Sequence, residues 1–228
     1  MSDTMFDSDF ETAQFGSEEE SLPASVSAAK RGFDIAVALV GILFTLPLWP
    51  LLALAIRLES PGPVIFRQLR VGRAGTNRTV LFEMWKFRSM RADAEKASGA
   101  VWAAKSDPRV TRVGWFLRKT RLDELPQLVN VLKGDMSVVG PRPERPGFYG
   151  KLERAIPFFA ERTCGLRPGI TGFAQVRQGY DTCIDDVRRK VGFDHAYAMR
   201  LTSLGAWFVT DVGIMIKTIL VMVTGRGQ

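Results

Sequence analysis

Histidine and cysteine are almost absent from this chain of 228 residues, which has one histidine, His195, and two cysteines, Cys164 and Cys183. A single histidine excludes histidine-rich metal centres and the HExxH class of zinc hydrolases. Two cysteines at this spacing form neither a paired metal-binding knuckle nor a disulfide framework, so we predict reduced thiols in a domain that faces the cytosol. Carboxylates and cationic side chains remain as the candidates for chemistry.

Basic residues are absent from the first 29 positions, which contain seven acids. This stretch also lacks a periodic apolar pattern, and we predict that residues 1–29 form a disordered acidic tail. The other 199 residues hold 31 basic and 17 acidic side chains, a formal charge of +14. Such a surface favours a polyanionic partner: nucleic acid, anionic lipid or a phosphorylated small molecule.

Charge is absent again from Ile35 to Ile56, an apolar run of 22 residues that can cross the roughly 30 Å hydrocarbon core of a bilayer. Pro47 and Pro50 lie past the middle of the run, where each removes a backbone donor and bends a helix. Both flanks are basic, which favours the cytoplasm for both ends. We therefore predict that residues 30–59 form a re-entrant membrane helix that breaks near Pro47. A plain crossing and a buried hairpin of a soluble core are the alternatives.

Residues 60–228 are predicted to form the catalytic domain. A turn at 60–63 precedes short strands at 64–66 and 80–82. A helix is predicted to begin at Asp107, because aspartate is a good N-cap and a proline follows it. The buried stripe predicted for that helix consists of Val110, Val113, Phe116 and Leu117.

The segment from Leu204 to Val223 is apolar but is interrupted by Asp211 and Lys217. These two charges favour an amphipathic helix that lies in the membrane plane over a second crossing. An ordinary core helix is the alternative.

Two adjacent carboxylates, Asp123 and Glu124, are the first candidates for chemistry. Pro126 is best tolerated in the first turn of a helix, so we predict a helix that begins near Asp123. A helix N-terminus among basic residues favours phosphate. One carboxylate could attack phosphorus while its neighbour binds a hard cation such as Mg²⁺. The alternative is a capping pair that neutralises its neighbours Arg118, Lys119 and Arg121.

Two arginines lie in turns beside prolines. Arg142 stands between two prolines, which restrict its backbone, and a guanidinium held in place suits bidentate phosphate binding. Arg167 is followed by Pro and Gly in a similar pattern. Taken alone, both motifs favour turns that carry surface arginines over a phosphate site.

Together these segments resemble the bacterial sugar transferase family, the monotopic phosphoglycosyl transferases. The resemblance runs from Lys30 to about Val223 and omits the acidic tail. Its motifs stand in the family's order: PGPVIFRQLRVG at 61–72, MWKFRSM at 84–90, LDELPQLVNVLKGDMSVVGPRPE at 122–144, LRPGITGFAQV at 166–176 and FDHAY at 193–197. Several long blocks in one order are far more specific than any single motif.

The resemblance implies an α/β (α+β) membrane-associated domain, with a re-entrant helix and amphipathic interfacial helices around a small catalytic core. It implies transfer of a hexose 1-phosphate from a UDP-sugar to undecaprenyl phosphate. Asp123 would attack the phosphate that carries the sugar, releasing UMP and forming an aspartyl-phosphosugar intermediate. Glu124 matches the carboxylate that binds Mg²⁺ in the family.

Other polar positions also follow from the resemblance. Arg142 matches the arginine assigned to phosphate binding, and Lys86, Arg167 and Asp194 match further positions of the active-site region. His195, beside Asp194, is expected to be structural or interfacial. The family often has serine before the proline of the helix break, whereas this chain has leucine there, and the preceding Thr45 is expected to supply the hydroxyl.

A weaker likeness of residues 179–190 to exopolysaccharide-type members favours UDP-glucose or UDP-galactose as the donor. The resemblance places the chain on the cytoplasmic face of the bacterial inner membrane, at the first membrane step of exopolysaccharide or glycoconjugate synthesis, and leaves a homo-oligomer open. Three alternatives remain: a non-enzymatic basic membrane adaptor, a nucleotide-sugar hydrolase and, from the charge alone, a nucleic-acid binder.

Overall fold

A computed structural model describes residues 22–74, 79–94, 107–178 and 183–224, which contain seven α-helices and four strands. The helices are α1 (Ala24–Thr45), α2 (Trp49–Glu59), α3 (Arg112–Thr120), α4 (Gln127–Lys133), α5 (Pro146–Ala155), α6 (Ile184–Ala198) and α7 (Leu204–Thr224). The strands are β1 (Ile65–Ala74), β2 (Thr79–Phe87), β3 (Ser137–Val139) and β4 (Gly169–Thr171). β1 and β2 pair antiparallel, and β3 and β4 pair parallel. This mixture of helix and sheet agrees with the predicted α/β class.

The first helix begins earlier than predicted. α1 starts at Ala24, six residues before the predicted membrane segment 30–59. Val26 is fully buried in the main core, and this contact extends the helix past the basic pair that suggested the boundary. Most of the predicted acidic tail, residues 1–21, lies outside the described residues.

The helix breaks where the prolines predict. A 3₁₀ turn, Leu46–Leu48, separates α1 from α2. Pro47 lies in the first turn of the 3₁₀ segment and Pro50 in the first turn of α2, where a missing backbone donor leaves no intrahelical bond unmade. The Thr45 hydroxyl donates to the Gly41 carbonyl at 2.7 Å and accepts from the Trp49 indole at 3.2 Å. The expected hydroxyl is therefore present at the break and links the two helices.

Both ends of the apolar segment contact the same folded domain. Asp34 in α1 accepts hydrogen bonds from the Ser137 hydroxyl and the Val138 amide of β3. At the end of α2, Glu59 accepts from the backbone amides of Arg112 and Val113 at 2.7 and 2.8 Å. Between these anchors lie exposed apolar side chains: Leu39, Val40, Leu43, Phe44, Leu46, Leu51, Leu54 and Leu58. By length and composition alone, Ala24–Glu59 and Leu204–Met222 are each apolar enough to cross a membrane.

Asp211 in α7 is buried, which contradicts its predicted place on a polar helix face. It is 1% exposed and accepts from Lys30 Nζ at 2.6 Å, Tyr197 OH at 2.8 Å and Trp207 Nε1 at 2.8 Å. Three donors satisfy this carboxylate, so it ties α7 to α1. The outward surface of α7 is apolar apart from Lys217 and includes Phe208, Val209, Ile216, Ile219 and Leu220. An in-plane position for α7 stays a prediction.

The helix predicted from Asp107 begins five residues later. Asp107 instead binds the Arg109 guanidinium at 2.6 Å, and Thr111 caps α3 by accepting from the Gly114 amide. Within α3 Leu117 is fully buried, whereas Phe116 is half exposed and does not belong to the buried stripe. The strands predicted at 64–66 and 80–82 are the beginnings of longer ones that pair from Ile65 to Ala74.

The two-stranded parallel sheet holds the loop that carries Arg142. Gly140 follows β3 directly, and a Cβ there would lie 2.4 Å from the carbonyl oxygen of Arg167, so only glycine fits. The Gly169 amide donates to the Pro141 carbonyl at 2.9 Å. The segment from residue 141 to 143 therefore leaves the sheet from a fixed point.

Candidate active site

Asp123 and Glu124 lie in a 3₁₀ turn, Leu122–Glu124, that joins α3 to α4. The α-helix predicted to begin near Asp123 starts at Gln127, with Pro126 as its N-cap. Arg121 ends α3 in the left-handed conformation, with φ of 58°. A non-glycine residue in this conformation costs of order 1–3 kcal/mol and persists only where its surroundings require it. The strained residue therefore stands directly before the 3₁₀ turn that carries the carboxylate pair.

Three cations surround one oxygen of Glu124. Lys86 Nζ donates to Oε1 at 2.9 Å, and the guanidinium groups of Arg121 and Arg142 lie 3.8 and 3.9 Å from it. The structure thus brings together Lys86, Asp123, Glu124 and Arg142, four of the residues assigned to the site from the sequence. Arg121 joins them as a further cation.

The surroundings shift the pKa values of the two carboxylates in opposite directions. Burial raises the pKa of Glu124, but Lys86, Arg142 and Arg121 together outweigh it and lower that pKa to about 2. Burial raises the pKa of Asp123, which Lys86 opposes and Glu124 reinforces. Burial lowers the pKa of Lys86, and both carboxylates oppose that shift. Glu124 is therefore the carboxylate of the pair that stays ionised at neutral pH.

Asp123 presents one oxygen that has no partner in the described part of the chain. The residue is 6% exposed, and Oδ1 makes no hydrogen bond with the described residues. A buried carboxylate oxygen without a donor is expensive to maintain and typical of functional sites. This buried, unpaired carboxylate makes Asp123 the candidate nucleophile of the site.

Two other arginines donate hydrogen bonds to backbone carbonyls of the loop that carries Arg142. Arg162 donates to the Arg142 carbonyl at 3.2 Å and pairs with Asp194 Oδ2 at 2.9 Å. Arg70 donates to the Pro143 carbonyl at 3.1 Å. Asp194 is 2% exposed and acts on the site through Arg162. Sequence reasoning missed Arg162, since no motif marks it, although a buried Asp194 requires a cationic partner.

Arg167 lies apart from the carboxylate pair. Its Nε donates to the Gly134 carbonyl at 2.9 Å, beyond the C-terminal end of α4, where Arg31 also donates to the last carbonyls of the helix. Seven helical residues, about 10 Å of rise, separate this end from the dyad. The structure therefore does not bring Arg167 to the predicted site. In this position it satisfies carbonyls that the helix leaves unpaired.

The other two residue types singled out by their scarcity are not in the site. The ring nitrogen Nε2 of His195 lies 3.0 Å from the Phe158 carbonyl oxygen, a contact to backbone that fits the expected structural role. Cys164 and Cys183 are free and exposed, in line with the prediction of reduced thiols.

Comparison with known proteins decides the family. Residues 25–225 match the profile of the bacterial sugar transferases. The chain belongs to the bacterial sugar transferase family. It is 46% identical over 207 residues, 90% of this chain, to the UDP-N-acetylgalactosamine-undecaprenyl-phosphate N-acetylgalactosaminephosphotransferase of Aeromonas hydrophila. It is 41% identical over 192 residues, 83% of this chain, to the UDP-glucose:undecaprenyl-phosphate glucose-1-phosphate transferase of Escherichia coli K12.

The chain spans less than half the length of these two relatives. The matched region covers 46% of the Aeromonas protein and 39% of the Escherichia protein. A relative of more similar length is the UDP-glucose:undecaprenyl-phosphate glucose-1-phosphate transferase of Caulobacter vibrioides, which is 41% identical over 203 residues, 88% of this chain and 72% of the relative.

The side chains of the site fit Mg²⁺ only together with a bound ligand. Among the described residues no group of three or more His, Cys, Asp or Glu side chains could hold a metal ion. Oε1 of Glu124 accepts from Lys86 and lies within 4 Å of Arg121 and Arg142, so Glu124 is the one carboxylate of the pair that cations already surround. Mg²⁺ is commonly bound through one or two carboxylates together with substrate phosphates. The residues present fit that arrangement.

Proposed function

We propose that this chain is a phosphoglycosyl transferase that moves a sugar 1-phosphate from a UDP-sugar to undecaprenyl phosphate. The observation that carries the proposal is the buried Asp123–Glu124 pair, in which Asp123 Oδ1 has no partner among the described residues and three cations surround Glu124. A carboxylate nucleophile beside cations suits attack on an anionic phosphoryl group. The names of the relatives support the same donor and acceptor classes.

The reaction has two steps, each a displacement at phosphorus. In the first, Oδ1 of Asp123 attacks the phosphorus that carries the sugar; the Oδ1–P bond forms, the bond to UMP breaks, and UMP leaves with the electron pair. In the second, a phosphate oxygen of undecaprenyl phosphate attacks the same phosphorus and releases the Asp123 carboxylate. Lys86, Arg121 and Arg142 offset the negative charge of the phosphoryl oxygens in both steps.

Glu124 is the residue that would hold Mg²⁺, together with the diphosphate of the donor. When bound, the metal ion neutralises charge on the diphosphate and improves UMP as a leaving group. The low pKa of Glu124, about 2, keeps this ligand ionised throughout the physiological range.

The proposed site of action is the cytoplasmic membrane surface, with residues 30–59 re-entrant. Two contacts support this: α1 and the end of α2 both bind the one domain, and the exposed apolar side chains lie around the break. α3 adds a second membrane contact, because Trp115 and Phe116 are exposed and Lys119 Nζ lies 4.9 Å from the Trp115 ring. Aromatic and basic side chains together are typical of interfacial helices.

The experiment measures UMP release by the full chain in detergent, with and without undecaprenyl phosphate and Mg²⁺, beside Asp123→Asn. UDP-glucose and UDP-galactose are the proposed donors, and UDP-N-acetylgalactosamine is included because the Aeromonas relative is named for it. We expect sustained release only with acceptor and metal, and none from Asp123→Asn. Sustained release without acceptor would indicate a hydrolase, and no release with any donor would indicate an adaptor.

A further inference from the structure

Gln127, the first residue of α4, carries a buried hydrogen-bond donor without a partner. The residue is 3% exposed, and no described residue accepts a bond from its amide nitrogen Nε2. A buried donor left unpaired costs about 1–3 kcal/mol. One turn earlier, Oδ1 of Asp123 is a buried acceptor that also has no described partner. A donor and an acceptor are thus both unsatisfied on one short stretch of chain.

The contacts on either side of Gln127 fix the direction of its side chain. Three residues earlier, Glu124 accepts from Lys86 on β2. Three residues later, Asn130 accepts from the β2 backbone amide of Trp85 at 3.0 Å. Residues three apart share a helix face, so Gln127 faces β2 between these two contacts. The 3₁₀ turn of the carboxylate pair and the first residues of α4 therefore both lie against β2, the strand that carries Lys86.

We propose that Gln127 is a further catalytic residue, an inference that rests on the transferase function proposed above. Its Nε2–H donates a hydrogen bond to a non-bridging oxygen of the phosphoryl group that Asp123 attacks. While the Oδ1–P bond forms and the bond to UMP breaks, the amide keeps its proton and only holds the phosphoryl oxygen. The same bond holds the phosphosugar on Asp123 until the acceptor phosphate displaces it.

A neutral amide suits this position better than a charged group. Lys86, Arg121 and Arg142 already supply positive charge at Glu124, so orientation of the phosphoryl group is what Gln127 adds. A carboxylate in its place would repel both Asp123 and the incoming phosphate. The Gln127→Glu variant is therefore expected to lose activity although it keeps the shape of the side chain.

The test compares Gln127→Met with Gln175→Met. Methionine keeps the length of glutamine but cannot donate a hydrogen bond. Gln175 is the matched control, because its Nε2 donates to the Ile170 carbonyl at 3.3 Å, outside the site. We expect Gln127→Met to reduce single-turnover UMP release by about 10²–10³-fold, the usual effect of losing one donor to a developing oxyanion. Its melting temperature in detergent is expected to stay equal or rise, because a buried unpaired donor is removed.

The outcomes test the role of Gln127 and the transferase function separately. If Gln127→Met releases UMP within about threefold of the unchanged chain, Gln127 is not catalytic and the transferase stands without it. If Gln127→Met lowers both activity and melting temperature while Gln175→Met lowers neither, Gln127 has a structural role and the inference is overturned. If the unchanged chain releases no UMP from any UDP-sugar, the transferase proposal fails and the Gln127 inference fails with it.

Discussion

Lys86 is the cation nearest to Glu124, at 2.9 Å, and is the strongest of the three that lower its pKa. In Lys86→Met the burial of Glu124 is opposed by less positive charge, so the pKa of Glu124 rises from about 2. Lys86 also lowers the pKa of Asp123, so that pKa rises in the variant as well. Because activity requires both carboxylates in the ionised form, the acid limb of the pH–rate profile moves to higher pH. UMP release measured across pH tests this, with Lys151→Met, an exposed lysine on α5, as the control. An unmoved acid limb would contradict the role given to Lys86.

Asp194 is predicted to support the site through Arg162 and not to touch substrate. In Asp194→Asn the Arg162 guanidinium stays buried without its carboxylate at 2.9 Å. Breaking one side of a buried pair costs about 3–5 kcal/mol, so the melting temperature in detergent should fall clearly, together with activity. Lost activity at an unchanged melting temperature would show that Asp194 contacts substrate directly.

At the residue scale the sequence motifs located the carboxylate pair but not its support. Asp123, Glu124, Lys86 and Arg142 stand in ordered blocks of sequence, and the structure brings them together. Arg162 stands in no block and is fixed only by the tertiary packing of α6 against the Arg142 loop. Arg167 shows the converse, because a motif beside proline and glycine does not specify which carbonyl a guanidinium reaches.

The break between α1 and α2 determines the topology of the membrane segment. Single cysteines at Ser27 and Pro61, with Cys164 and Cys183 replaced by serine, mark its two ends. We expect a membrane-impermeant maleimide to label both from the cytoplasmic side, since both ends bind the same domain. Labelling of one end only from the opposite side would establish a plain crossing.

The Lys30–Asp211 pair joins α1 to α7 and is buried on both sides. Lys30→Met leaves the Asp211 carboxylate buried without its cation, so we expect a loss of about 3–5 kcal/mol in unfolding free energy. Lys217→Met is the matched control on α7, because Lys217 is exposed and surface changes stay within about 0.5 kcal/mol. Denaturant titration in detergent compares them. Equal stability of the two variants would contradict the pairing.

At the scale of helices and strands, the sequence predicted a position correctly where a single residue determines the local backbone. The two prolines located the helix break, because proline acts through its own backbone. The place predicted for Asp211 from its charge was wrong, because a carboxylate in an apolar helix can face either solvent or a buried lysine. Only the tertiary fold determines which of the two it contacts. The start of α3 was misplaced for a similar reason: both Asp107 and Thr111 are good caps.

At the scale of the whole molecule, basic charge and exposed apolar side chains both direct the chain to a membrane. The charge of +14 outside the first 29 residues adds about 1 kcal/mol per Lys or Arg near anionic lipid. At about 1 M salt, where the Debye length falls to about 3 Å, only this part of the binding weakens. We therefore expect co-sedimentation with neutral-lipid vesicles to survive high salt and to need no nucleic acid. Release from such vesicles by salt alone would favour a nucleic-acid binder.

The class of fold followed from the sequence, whereas the relative placement of the elements did not. Ordered motifs and one long apolar run indicate a membrane-associated domain. They do not indicate that α4 packs its Leu128 side chain beside Gly41 of α1, or that two short strands close in parallel beneath Arg142. Such contacts join residues far apart in sequence, which no local pattern encodes.

The central claim is that Asp123 carries the phosphosugar, and intact-mass measurement tests it most directly. The full chain in detergent is incubated with Mg²⁺ and the active UDP-sugar, without undecaprenyl phosphate, beside Asp123→Asn. We predict a gain equal to one sugar phosphate on the unchanged chain, located to the peptide that contains Asp123, lost on addition of undecaprenyl phosphate and absent from the variant. The same gain on Asp123→Asn, or turnover by that variant at the rate of the unchanged chain, would contradict Asp123 as the nucleophile.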